Sequence, residues 1–353
     1  MNKIIVPTGY MGSGSSAITD LISELEGYQH NNGSYEYVLM HCPDGLFDLE
    51  DKLLFGNNAY RSDEAVHRFI SCMNDLYDKN YFWVGNYKHV ISEKFLEYCI
   101  EFIEDLQIIR IKDVYWYYQQ NPIGCKMWIH NIIRRIIGKI SCDKIKINRA
   151  VKYKEMIIAI PDENKFYSAA QKFLNSIFTD LGYKNHNLVL DQLLLPQNLF
   201  RIEHYFGKNL YVLVVERDPR DVFLLNKYYW KPKGIAVPYS TDAVQFCKMY
   251  KKMRQNEKIV EDKRIFRVHF EDLIFRYEET IKQILYFLDV SPKAHVTLKK
   301  TKFNPDISIN NTMLFRRNEY RTEETKIIEK ELYQYLYNFP NIIPNNNDIK
   351  NIF

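Results

Sequence analysis

Ile4-Ile5-Val6-Pro7-Thr8-Gly9-Tyr10-Met11-Gly12-Ser13-Gly14-Ser15-Ser16 joins an apolar run to three closely spaced glycines and three serines. Residues 3–6 predict a short strand and residues 7–14 a loop. Over residues 15–26, Ala17, Ile18, Leu21, Ile22 and Leu25 recur on one helical face, so a helix follows. In a strand, glycine loop and helix of this kind, main-chain N–H groups turn toward one point and the helix dipole adds its positive end. That arrangement suits a phosphate. The glycine spacing is that of a Walker A loop, but Ser15 stands where that motif requires lysine. Without that lysine ordinary NTP or kinase chemistry is disfavoured, and a different phosphate donor is implied. A glycine-rich turn with no ligand fits the same residues.

Outward from this loop, residues 35–40 read as a second strand ending at Cys42-Pro-Asp-Gly45, with a helix over residues 46–55. Residues 62–181 are mostly helical in pattern, clearest at Phe166, Ala169, Ala170, Phe173, Leu174, Ile177 and Phe178. Further strands are expected at 187–190, 209–215 and 264–270, with helices between them and over 278–288. Strand and helix alternate, which implies a parallel sheet. The expected fold is α/β, with a three-layer architecture, a central mainly parallel sheet, a P-loop-like phosphate site and a helical insertion at about 62–181. Residues 1–353 are read as one domain, with a weakly ordered tail from Pro340.

A second anion site is suggested by Val214-Val-Glu-Arg217-Asp218-Pro219-Arg220-Asp221-Val222-Phe223. An arginine leaving the C-terminal end of a parallel strand stands where open α/β sheets bind ligands, and its fork matches a phosphate monoester. The alternative is a solvated helix start capped by Asp218 and Asp221, with the arginines in surface pairs. The order glycine loop, then strand, charged turn and helix, resembles the PAPS-dependent sulfotransferase family, in a bacterial-type carbohydrate form. His269-Phe-Glu271-Asp272-Leu273 and Phe303-Asn-Pro-Asp-Ile-Ser308-Ile-Asn310-Asn311 look like the family's C-terminal landmarks.

The resemblance implies that Gly12, Ser13, Gly14, Ser15 and Ser16 hold the 5′-phosphosulfate of 3′-phosphoadenosine 5′-phosphosulfate (PAPS), a co-substrate used without a metal. It implies that Arg217 holds the 3′-phosphate, with Ser308 and Arg317 as further candidates. Two departures stand out. Gly12 occupies the position of the family's loop Lys or Arg, and the family's second 3′-phosphate serine falls at Leu225, so that the adjacent Asn226 is the cofactor-binding candidate there.

Sulfuryl transfer to an alcohol needs a base within hydrogen-bond reach of the attacking hydroxyl. By resemblance, cytosolic sulfotransferases place a histidine where this chain has Asp191 and Gln192, and glycosaminoglycan-type enzymes place a glutamate at a position similar to Glu36. His41, at the end of the same expected strand, is a third candidate. Each has an ordinary reading as a cap, a polar strand face or a turn residue.

The 353 residues are 46% hydrophobic, enough for a sizeable core, and carry a net charge of only +4, without the basic excess of a dedicated nucleic-acid binder. The start leaves no room for a secretory signal, and no apolar run approaches a membrane span, so a cytoplasmic protein is expected. Six scattered cysteines read as reduced thiols. Trp128 to Lys139 is a basic apolar stretch continued by Lys144, Lys146, Arg149, Lys152 and Lys154. It suits a membrane surface or an anionic or lipid-linked glycan, or else a core helix with a solvated basic side. The expected acceptor is a glycan or another hydroxyl compound. A P-loop kinase or NTPase, and a nucleotide-binding relative that has lost catalysis, are the rival readings.

Overall fold

The computed structural model describes residues 2–30, 35–112, 124–142, 144–145, 147, 153–235, 237–296, 299–320 and 322–341. Lys146, Arg149, Lys152 and the tail beyond residue 341 lie outside the described residues. The strands are β1 (Ile4–Gly9), β2 (Tyr28–Gln29), β3 (Ile109–Lys112), β4 (Glu155–Ile158), β5 (Asn187–Val189), β6 (Leu210–Glu216) and β7 (Ile265–His269). The helices up to β5 are α1 (Ser15–Ile22), α2 (Leu46–Leu54), α3 (Ala59–Asp78), α4 (Tyr87–Val90), α5 (Phe95–Leu106), α6 (Gly124–Ile140) and α7 (Glu163–Asp180). Those after it are α8 (Ile202–Tyr205), α9 (Pro219–Leu225), α10 (Ala243–Gln255), α11 (Asp272–Phe275), α12 (Tyr277–Phe287), α13 (Pro305–Ser308) and α14 (Glu323–Glu331).

Five strands form one sheet in the order β2-β5-β1-β6-β7, every pairing parallel. Side chains alternate between its faces, as strand geometry requires. Ile4, Val6, Val212 and Val214 enter one apolar cluster with α2, α3, α5 and α7, whereas Ile5, Val189, Leu213 and Val215 enter another with α1 and α12. The result is helix, sheet, helix, the three-layer α/β fold that the alternation predicted.

Residues 62–181 are mainly helical, as expected, but they also contain the antiparallel pair β3 and β4. The N-terminal end of α3 finishes the hydrogen bonding of β4. Ser62 Oγ and the Ala159 main chain exchange bonds at 2.9 and 2.6 Å, and Asp63 Oδ1 accepts from Ile157 N at 2.7 Å. Buried main-chain groups on that edge therefore have partners, without which burial would be costly.

Three expectations are corrected. The first strand runs on through Pro7 and Thr8 to Gly9, because these residues pair with Leu213, Val214 and Val215 of β6. Residues 35–40 are not a strand. Tyr35, Tyr37, Val38, Leu39 and Met40 are all buried rather than alternating, and the sheet position beside β5 is taken by Tyr28–Gln29. The basic apolar stretch is not a core helix: α6 leaves Trp128, Ile129, Ile133, Ile136 and Ile140 exposed.

Candidate active site

The turn between β1 and α1 meets the structural demands of an anion cradle. Gly12 and Gly14 have φ of 77° and 91°, in the left-handed region where only glycine is at ease. A Cβ at Gly12 would lie 2.6 Å from the Trp230 ring, and one at Gly14 would lie 2.8 Å from the Phe270 ring. Ser13 N donates to Tyr10 O at 2.8 Å, which closes the turn. Among the described residues, the N–H groups of Gly12, Gly14, Ser15 and Ser16 have no hydrogen-bond acceptor, and no side chain caps α1. Ser13 Oγ is buried and also lacks a partner. Unsatisfied donors at an uncapped helix start are what a bound anion would satisfy.

Arg217 leaves the end of β6 and reaches this loop. Its Nη1 donates to Gly12 O at 3.2 Å, its Nη2 donates to Asn311 O at 2.6 Å, and its guanidinium stacks on Phe270 at 4.4 Å from the ring centre. Arg317 donates through Nη2 to Asn310 O at 2.9 Å, so two buried arginines distant in sequence meet at neighbouring carbonyls. Arg217 Nε and Asn311 Oδ1 are buried without partners. A cation therefore stands against Gly12, in a loop whose own sequence supplies none. Ser308 is half-buried at the end of α13, in the same C-terminal segment.

The rest of the charged turn builds the fold. Asp218 caps α9 by accepting from Arg220 N at 2.9 Å, and its other oxygen accepts from Arg220 Nη2 at 2.7 Å and Tyr337 N at 3.0 Å. Asp221 accepts from Met313 N and Leu314 N at 2.8 and 2.9 Å, anchoring the segment that Arg217 touches. Arg220 is buried against Phe315 and paired with the buried Asp218, and only its Nη1 reaches outward, to Glu329 at 3.3 Å. Burial pushes Asp221 up to about 7 and Glu271 up to about 8, with the Asp218 carboxylate adding to both. Leu225 lies in an apolar cluster with Phe223 and Phe246, and Asn226 Nδ2 donates to Tyr239 O and Ser240 O at 3.2 and 3.3 Å.

The three candidate bases gather around the turn after β5. Asp191 O accepts from Tyr37 N at 2.9 Å, which sets the chain carrying Glu36 beside Asp191. Burial raises the Asp191 carboxyl to about 8; Glu36 adds to the rise, and the Thr19 and Ser15 hydroxyls oppose it. Burial raises Glu36 to about 7. Glu36 remains partly exposed, whereas Asp191 is only 2% exposed. His41 Nε2 donates to Gln192 O at 2.8 Å, and burial lowers its pKa.

Gln192 was passed over in the sequence because an amide is no base. With φ of 58°, it links strand and loop: its Oε1 accepts from Thr8 Oγ1 at 3.1 Å and its Nε2 donates to Ser15 Oγ at 3.0 Å. Glu271 was also missed as a support of the site; it accepts from Asp218 N at 2.9 Å. Its place in a strand-end block beside the charged turn was the available signal.

Known proteins supply three comparisons. The family model described as "Sulfotransferase family" matches residues 134–293. No curated protein matches the chain. Among solved structures, a sulfotransferase domain from the curacin biosynthetic pathway is similar at 13% identity and a TM-score of 0.40, over 96% of this chain and 99% of that one. Sulfotransferase STF9 from Mycobacterium avium is similar at 12% identity and a TM-score of 0.36, over 95% of this chain and 76% of that one. The family match takes in both the turn from Arg217 to Asp221 and the block from His269 to Leu273, and leaves the glycine loop outside its bounds.

Proposed function

We propose that the chain transfers the sulfuryl group of PAPS to a hydroxyl of a glycan or glycolipid acceptor. The observation that carries this reading is the set of unpartnered loop N–H groups standing beside the Arg217 guanidinium. The loop from Gly12 to Ser16 would hold the 5′-phosphosulfate. Arg217, with Arg317 and Ser308, would hold the 3′-phosphate.

The acceptor oxygen attacks sulfur as the bond from sulfur to the 5′-phosphate oxygen breaks, and adenosine 3′,5′-bisphosphate leaves with the electron pair. The hydroxyl proton passes to Glu36, the carboxylate that an acceptor can reach from solvent. Loop donors and the α1 dipole stabilise charge on the departing phosphate. Burial fits Asp191 less well to the role of base, since its carboxyl is enclosed with Thr19 and Ser15.

A glycan acceptor is supported by the turn that borders Glu36. Glu36 N donates to Trp83 O at 2.8 Å, and Tyr81, Phe82 and Trp83 expose their rings there, Phe82 to 94%. Flat exposed rings stack on the C–H faces of sugars, and clustered exposed apolar side chains mark binding surfaces. The exposed face of α6, with Arg135 and Lys139 and no acidic residue in the helix, supports peripheral contact with a membrane or a lipid-linked glycan. No helix among the described residues is long and apolar enough to cross a membrane.

Adenosine 3′,5′-bisphosphate is expected to raise the melting temperature in a thermal scan while ATP at equal concentration does not, since a ligand that binds only the folded state stabilises it. Stabilisation by ATP alone would replace this reading with the kinase or NTPase one.

A further inference from the structure

At the turn that follows His41, two thiols from separate elements face each other. Cys42 lies in the turn directly after His41, and Cys72 lies on α3. Their Sγ atoms are 3.5 Å apart and hydrogen-bonded, and the Cys72 thiol also donates to Pro43 O at 3.5 Å. Both side chains are half-buried, so reagents reach them, unlike Cys99 and Cys247, which are buried. Gly45 leaves space for the sulfur; a Cβ there would stand 3.0 Å from Cys42 Sγ. A disulfide requires the two sulfurs to close to about 2 Å, a local approach.

We propose that Cys42 and Cys72 are a dithiol modification site that a small-molecule disulfide of the glutathione class oxidises reversibly to an intramolecular disulfide.

The two thiols have different parts in the exchange. The hydrogen bond from Cys42 favours the thiolate on Cys72 and lowers its pKa, against burial and the carboxylates of Asp44, Asp75 and Asp48. The same bond and burial hold Cys42 as the thiol. The thiolate is the nucleophile in exchange, and Cys72, whose sulfur is exposed where it meets Pro43 O, attacks first. Its sulfur bonds to one sulfur of glutathione disulfide and expels a glutathione thiolate. Cys42 then loses its proton and attacks Cys72 Sγ, and the second glutathione thiolate leaves. Two thiols have become a disulfide, one disulfide has become two thiols, and the two protons end on glutathione.

The product would tie the turn carrying His41 to α3. That turn is held by main-chain bonds, Gly45 N to Cys42 O at 2.8 Å and Leu46 N to Leu39 O at 3.0 Å, and α3 is fastened to β4 through Ser62 and Asp63. Hydrogen exchange across residues 38–46 should therefore slow on oxidation, because local opening now carries α3 with it.

The full-length protein is incubated with glutathione disulfide, then digested without reduction and mapped by mass spectrometry. The expected result is a Cys42 to Cys72 cross-linked peptide, absent after dithiothreitol, with slower exchange at 38–46. Cys42→Ser should trap glutathione on Cys72, and Cys72→Ser should leave Cys42 unmodified. Glutathione only on the exposed Cys125 and Cys142, with no cross-link in the unmutated protein, overturns the proposal. So does a Cys42→Ser protein whose Cys72 stays free.

Discussion

Replacing Arg217 with alanine is expected to weaken adenosine 3′,5′-bisphosphate about ten- to a hundred-fold. The estimate takes hydrogen bonds to a charged group as worth about 1.5 to 3 kcal/mol, at about 1.4 kcal/mol per factor of ten. Adenosine 5′-phosphosulfate, which has no 3′-phosphate, should lose far less. Arg217 also ties Gly12 O to Asn311 O, so the substitution removes a structural link together with a ligand contact. Arg217→Lys keeps the charge but not the fork and should fall between the two. Calorimetric titration with both ligands, with melting temperatures measured alongside, decides the matter. Equal losses for the two would assign Arg217 to the loop and remove it from the 3′ end.

Glu36→Gln should lower turnover at least about 100-fold while donor binding persists, the range expected when a general base is removed. The two carboxyls fix the pH dependence. Burial raises Glu36 to about 7 and Asp191 to about 8, with the Glu36 charge adding to the rise at Asp191. A base must be ionised to act, so turnover should rise with pH through about 7, and Asp191→Asn should leave that midpoint in place. Stability runs the opposite way. Both pKa values are raised in the fold, so the contribution of the protonated groups is full below their unfolded values near 4 and is lost as pH rises through 7 to 8. Melting temperatures across the same range separate this loss from catalysis. A 100-fold loss in Asp191→Asn with an active Glu36→Gln would transfer the role to Asp191. Loss only in His41→Ala would overturn the carboxylate mechanism.

Much of the fold was legible because its signals are local. The apolar run of β6, glycines at positions that require φ near 77° and 91°, and the helical period of α1 each follow from a few adjacent residues. Residues 35–40 misled because Tyr35 and Tyr37 to Met40 are apolar on every side, and their burial comes from packing beyond the sheet. The site was legible in part. Glycine loop and Arg217 follow from motif and strand end, and the family resemblance put Arg317 at the same 3′ end, but the link between the two arginines, through the carbonyls of Asn310 and Asn311, exists only in the folded chain. Gln192 was weighed only as a base, whereas its part is to join Thr8 to Ser15 through its side-chain amide.

The central claim is sulfuryl transfer from PAPS to an acceptor hydroxyl. Its most direct test is incubation with PAPS labelled at sulfur and a panel of glycans and glycolipids, followed by isolation of the acceptor. The label should appear as a sulfate ester on an acceptor oxygen, with one adenosine 3′,5′-bisphosphate released for each ester formed. Bound PAPS with no ester on any acceptor would instead describe a relative that has lost catalysis, and phosphate delivered from ATP under the same conditions would contradict the account outright.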